Sequence, residues 1–313
     1  MPKINTINDF TTAVLTALSA VFSDHRIEAV NVTKNNNVHL TGLVVHPQNK
    51  KIAPTIYMEP YFNAFQSGQS LETVISQITS NCTAALSCSE TGIDAEAITD
   101  FKQVKGRICY KLINRDKNSE LLRAAPHRDY HDLAVVYYIQ LSKTDNGLAT
   151  VTITDSLARN WGVDEETLYG LAEINTPKIN RGCVTPITDI LSGLSGSDKD
   201  AACKSGTYGS FDFTSVRNGE LEMYVATNQN KTYGAASILY DGLLDAVARN
   251  LGSFYVLPSS VHELIIIPQT FGTPEELKQM VNDINGSEVP EEEILSGNCY
   301  CYNSSTHELK IAV

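Results

Sequence analysis

MYVATNQNKTYGAASILYDGLLDAVARNLGSFYVLPSSVHELIIIP, residues 223–268, reads as a strand, a long amphipathic helix and a tight hairpin whose second arm is wholly apolar. In the helix, Ala235, Ile238, Leu239, Gly242, Leu243, Ala246, Val247 and Leu251 recur at the spacing that gathers them on one face. Gly242 sits on that stripe at a cost of about 1 kcal/mol against alanine. Close packing against another backbone is the expected reason for it. Arg249 suits the negative end of the helix dipole, and Gly252 is placed as a left-handed cap. Ser253–Leu257 is then a strand entering the Pro258-Ser259-Ser260 turn. Leu264–Ile267 lacks the alternation of a half-exposed strand, so both of its faces are expected to be covered.

Working outward, Phe10–Phe22 carries an apolar face on one side only and reads as a packed surface helix. Val30–Thr33 and Val38–Val45 flank an Asn35-Asn36-Asn37 turn as a hairpin, and Ile52–Met58 follows as a strand. A helix starts near Ser70, and 81–93 reads as a polar connection. Further strands are expected at 107–113, 133–141 and 148–154, with helices at 119–124, after Asp155 or Ser156, over 163–174, and from Pro274 behind a Thr273 cap. Cys299–Tyr302 and Leu309–Val313 close the chain as a hairpin. The fold class is therefore α/β or α+β, with a mixed, mostly antiparallel sheet under packed helices. Two intimate lobes are expected, 1–100 and 101–313, the second carrying a mobile Gly/Ser-rich insertion at 192–210.

A chain of 313 residues with 42% apolar content can build a full core without staples. Its net charge of −12, from 36 acidic and 24 basic residues, comes with no run of Lys and Arg, which disfavours nucleic acid as a partner. No stretch suits a membrane span or an export signal, and seven cysteines at irregular spacing fit a reduced, cytoplasmic protein. Cys299 and Cys301 form a C-x-C pair lacking further ligands at close spacing, so half-buried core residues are the expected reading.

The segments IAPTIYMEPYF, GRICYKLIN, PHRDYHDLAVVYY, WGVDEETLYGLAEINTP, YGAASILYDGLL and LPSSVHELIIIP, taken in this order, resemble an uncharacterised bacterial domain-of-unknown-function family common in gut Firmicutes and on mobile elements. The W-G-V-x-E-E-x-L, GAASILY and P-S-S-x-H-E pieces are distantly similar to the YtpQ-like uncharacterised proteins. The resemblance implies a fold and a compartment and carries no activity. His131 is not part of the family pattern, which weakens a paired-histidine metal site.

Two polar clusters invite chemistry. Ser259, Ser260, His262 and Glu263 suggest a Ser-His-Glu set. Alternation along a strand sends His262 and Glu263 to opposite faces, leaving Ser260 with His262, and no G-x-S-x-G elbow is present. Turn-forming serines are the plainer reading. In the second cluster, His127 and His131 share a face if the segment is helical, and Asp132 completes a metal site. The favoured alternative pairs Arg128 with Asp132 and sets His127 on backbone groups after Pro126. Glu59 offers a carboxylate partner for Glu263 or Asp132. Phosphate-binding and HExxH motifs are absent, so no cofactor and no metal is expected. The leading expectation is a non-catalytic binding or accessory protein that engages another protein. The alternatives are a hydrolase built on the His, Ser and carboxylate groups, or a small-ligand sensor.

Overall fold

The computed structural model describes residues 4–46, 55–88, 95–144, 147–194, 204–215, 222–258 and 260–313. The chain divides into two compact units, Met1–Gln103 and Val104–Val313.

In the first unit, helix α1 (Ile7–Val21) opens on a capping box. The Thr6 hydroxyl accepts from Asp9 N–H at 3.2 Å, and the Asp9 carboxylate accepts from Thr6 N–H at 3.1 Å. Strands β1 (Arg26–Thr33), β2 (His39–His46) and β3 (Thr55–Tyr57) form an antiparallel sheet, with β1 and β2 paired from Arg26↔His46 to Thr33↔His39. Phe10, Val14 and Leu18 from α1 meet Leu43 and Val45 from β2 in the core. Pro60 suits a first helical turn, and α2 (Glu59–Gln66) follows β3 directly. Helix α3 (Leu71–Cys88) runs well into the stretch read as a connection, because Val74, Ile78, Cys82 and Leu86 continue the i, i+4 stripe beneath polar neighbours. Helices α4 (Ala95–Thr99) and α5 (Phe101–Val104) follow.

The second unit runs β4 (Ile108–Asn114), α6 (Ser119–Leu122), β5 (His127–Tyr130), β6 (Leu133–Thr144), β7 (Gly147–Thr152), α7 (Asp155–Trp161), α8 (Glu165–Ile179), β8 (Gly182–Pro186) and α9 (Ile187–Leu194). It continues with β9 (Lys204–Tyr208), β10 (Phe211–Ser215), β11 (Tyr224–Asn228), α10 (Leu243–Leu251), β12 (Phe254–Leu257), β13 (Leu264–Pro268), α11 (Pro274–Ser287), β14 (Tyr300–Asn303) and β15 (Glu308–Ile311). One sheet has the order β15-β14-β12-β13-β11-β8-β10-β9, antiparallel except for the parallel β8–β10 pair. In the other, β4, β5 and β7 all pair antiparallel with β6. Leu133 through Ile139 of β6 are all buried, as are Leu264, Ile266 and Ile267 of β13. The mixed α/β class is thus observed, with mostly antiparallel sheets.

Several local expectations are corrected. The long helix over 235–251 is two pieces, a 3-10 segment (Gly234–Leu239) and α10. Gly234 through Ile238 are all buried rather than striped, and the Tyr240 hydroxyl donates to Asn180 O at 2.7 Å, so the chain is held off the helical path. Gly242 is the break itself. It stands at φ +73° at the head of α10, with open space where a Cβ would be, so left-handed backbone and not close packing explains it. Thr154, not Asp155 or Ser156, caps α7. The segment 127–132 is a strand and a tight turn, with His131 at φ +59°, so the helical face shared by His127 and His131 does not form. Of the 192–210 stretch, 195–203 lies outside the described residues, and 204–208 is strand β9.

Candidate functional site

Strand alternation aims Arg128 of β5 at the first turn of α8. There its Nε and Nη2 meet the two carboxylate oxygens of Glu165 at 3.2 and 3.0 Å, and Nη2 meets Glu166 at 2.7 Å. The guanidinium stacks on the Tyr169 ring, 3.9 Å from its centroid. From β6, the Tyr137 hydroxyl donates to the same Glu165 carboxylate. Burial, and then that carboxylate, push the Tyr137 phenol well above its ordinary range, while Glu165 holds Arg128 firmly protonated. Asp164 caps α8 by accepting from Thr167 N–H at 3.0 Å and from the Thr167 hydroxyl at 2.6 Å, and these bonds lower its pKa.

Beside this hub an open cleft of about 490 Å3 lies between the α6–β5 connection and the start of α7 and α8. Leu122, Ala125, Pro126, Ala158 and Val163 give it apolar walls, and His127, Asp155, Arg159, Asp164 and Glu165 its polar ones. His127 Nδ1 sits 3.0 Å from Ala125 O. A carbonyl only accepts, so Nδ1 carries the hydrogen, and in the neutral ring Nε2 holds the lone pair. The carboxylate of Asp155 has no partner among the described residues. Arg159 donates from Nε to Asp155 O at 3.2 Å, and its terminal nitrogens have no partner among the described residues either.

Most of the remaining candidates are engaged elsewhere. Asp132 does not pair with Arg128. In the β5–β6 turn its Oδ2 accepts from Ser296 Oγ at 2.6 Å and Asn298 Nδ2 at 3.0 Å, and its Oδ1 accepts from the Tyr300 hydroxyl. His131 lies between the rings of Tyr130 and Tyr300. Ser260 accepts from His262 N–H at 3.0 Å, so it meets the backbone of His262 rather than its ring. The ring accepts the Tyr233 N–H at Nδ1 (3.3 Å) and stacks on Tyr233, while Nε2 faces Glu293 at 3.5 Å. With both nitrogens engaged, His262 has no lone pair to offer a serine. Ser259 lies outside the described residues, and Glu263 is exposed. Glu59 belongs to the first unit, where Oε1 accepts Thr41 N–H at 2.6 Å and Oε2 is buried without a partner among the described residues.

Sequence reasoning missed Glu165, Glu166 and Tyr169 as the partners of Arg128, and Tyr137 as a donor to Glu165. The acids at 164–166 were legible only as helix-start residues, because the strand that meets them is distant in the chain. It also missed a buried amide hub. Asn180 Nδ2 donates to Tyr138 and Gln140, both at 3.1 Å, and Asn180 Oδ1 accepts from Asn230 Nδ2 at 2.5 Å. Burial pushes the thiols of Cys109 and Cys299 up to about 12. Among the described residues no group of three His, Cys, Asp or Glu side chains is arranged to hold a metal, and no helix is long and apolar enough to cross a membrane.

No curated protein and no solved structure matches the chain. A family model does, over residues 7–304, and the chain belongs to that family, the family of unknown function DUF5688.

Proposed function

We propose that this chain is a non-catalytic binding protein that engages another protein, an accessory factor working in the bacterial cytoplasm and, as the sequence resemblance implies, in a mobile-element setting. One observation carries this reading: the groups offered for hydrolysis in the second unit are mostly spent on the scaffold. Asp132 is saturated by three donors, Arg128 by two carboxylates, and His262 by a backbone N–H and Glu293. A general base needs a free lone pair within reach of the proton it takes. The acidic balance favours a partner with basic surface, since complementary charge speeds encounter and suppresses wrong partners.

The test is affinity capture of the tagged full chain from cells of its own host type, beside the His127→Ala/His262→Ala double variant. The expected result is one stoichiometric protein partner, retained by the variant, co-migrating with the chain in size-exclusion chromatography. Recovery of the chain alone, or loss of the partner with the histidines while the circular dichroism spectrum is unchanged, overturns the reading and favours the hydrolase alternative.

A further inference from the structure

We propose that the cleft between β5, α7 and α8 is a binding site for a free α-amino acid with an apolar side chain. Four groups that the scaffold leaves unspent line it together. The terminal nitrogens of Arg159 are donors without a partner among the described residues. Among the described residues the Asp155 carboxylate and His127 Nε2 are acceptors without a partner, and Asp164 Oδ2 takes no bond from Thr167. Glu165 is already answered by Arg128 and Tyr137, so it adds little.

Asp155 and Arg159 stand one turn apart on α7, the spacing at which an acid followed by a base ordinarily pairs. They do not pair side chain to side chain, because Arg159 turns its Nε to the backbone oxygen of Asp155. Both residues line the cleft with no charge partner among the described residues, about 5–6 Å apart at their Cβ atoms. A zwitterion answers that pattern: its carboxylate takes the Arg159 fork, and its ammonium takes Asp155 and the His127 lone pair. The apolar walls remain for its side chain. A simple cation leaves Arg159 unanswered, and a simple anion leaves Asp155 unanswered. The volume of about 490 Å3 falls within the range of small-molecule sites.

The experiment is isothermal titration of the full chain with three probes of one shape: L-leucine, isoamylamine, which lacks the carboxylate, and 4-methylpentanoate, which lacks the amine. L-Leucine is expected to bind at least about tenfold more tightly than either analogue, because each analogue strands one charged group. Asp155→Asn is expected to abolish the preference over 4-methylpentanoate while keeping that over isoamylamine, and Arg159→Gln to do the reverse. Both variants keep the Thr154 cap, and thermal melts verify that they fold. No heat with L-leucine overturns the proposal, as does equal affinity for all three probes or a preference that both variants leave intact.

Discussion

Arg128 and Glu165, one on a strand and one at the head of a helix, form a two-pronged ion pair at 3.2 and 3.0 Å that also receives the Tyr137 hydroxyl. Removing the carboxylate strands a buried phenol and leaves the guanidinium only its exposed contact with Glu166. Glu165→Ala is expected to cost about 2 kcal/mol. Glu166, whose side chain is 80% exposed, contacts the same guanidinium, and Glu166→Ala is expected to cost less than about 0.5 kcal/mol. Thermal melts of the two variants side by side check the contrast. Equal losses would mean that the hub is held by net charge and not by the geometry at Glu165.

Asp132 gathers Ser296, Asn298 and Tyr300 onto the β5–β6 turn. An ionised carboxylate is acceptor-only, whereas an amide turns a donor toward three donors. Asp132→Asn is therefore expected to cost about 2–3 kcal/mol, more than Tyr300→Phe at about 1 kcal/mol. Urea titration of both single variants and the double variant measures it. The cycle should be strongly non-additive, since the two residues share one bond.

Two glycines in the decisive stretch predict opposite behaviour. A Cβ on Gly234 would stand 2.1 Å from Thr227 Oγ1 and 2.4 Å from His262 O, and the latter is backbone. Gly234→Ala is expected to cost about 3 kcal/mol through forced displacement of the β13 approach. Gly242 has open space but φ +73°, so Gly242→Ala is expected to cost only about 1 kcal/mol from left-handed strain. Melting temperatures rank the two.

These glycines also show what the sequence could and could not reveal. Apolar periodicity reports which face is covered, so α1, the capped α11 and the wholly apolar β13 were legible from their own residues. Periodicity does not report a bend. The row Ala235–Leu251 kept helical spacing across a break imposed by Gly242 and by the Tyr240–Asn180 bond, which joins residues 60 apart. The polar clusters failed for the same reason. Arg128 had a local acid at Asp132, and sequence proximity suggested that pair. The partners that the fold supplies are 37 and 38 residues away for Arg128, and more than 160 away for Asp132. His127 was placed on nearby backbone groups, and Ala125 O is where its Nδ1 rests.

The C-terminal hairpin carries a pH dependence of its own. Asp245 of α10 accepts from the Tyr302 hydroxyl at 2.5 Å and lies 2.6 Å from His307 Nδ1. The Tyr302 bond first, and His307 second, lower its pKa. A carboxyl whose folded pKa is depressed adds stability above its unfolded pKa and loses it as the pH falls through the folded value. The contribution is thus full at neutral pH and fades on acidification below about pH 4. Because the Asp245 side chain is 45% exposed, solvent screens much of it. The expected result is that Asp245→Asn melts below the native chain near neutral pH, with the gap narrowing steadily toward about pH 3. A gap that stays constant across the titration would mean that shape alone, and not the charge on Asp245, joins α10 to the β14–β15 hairpin.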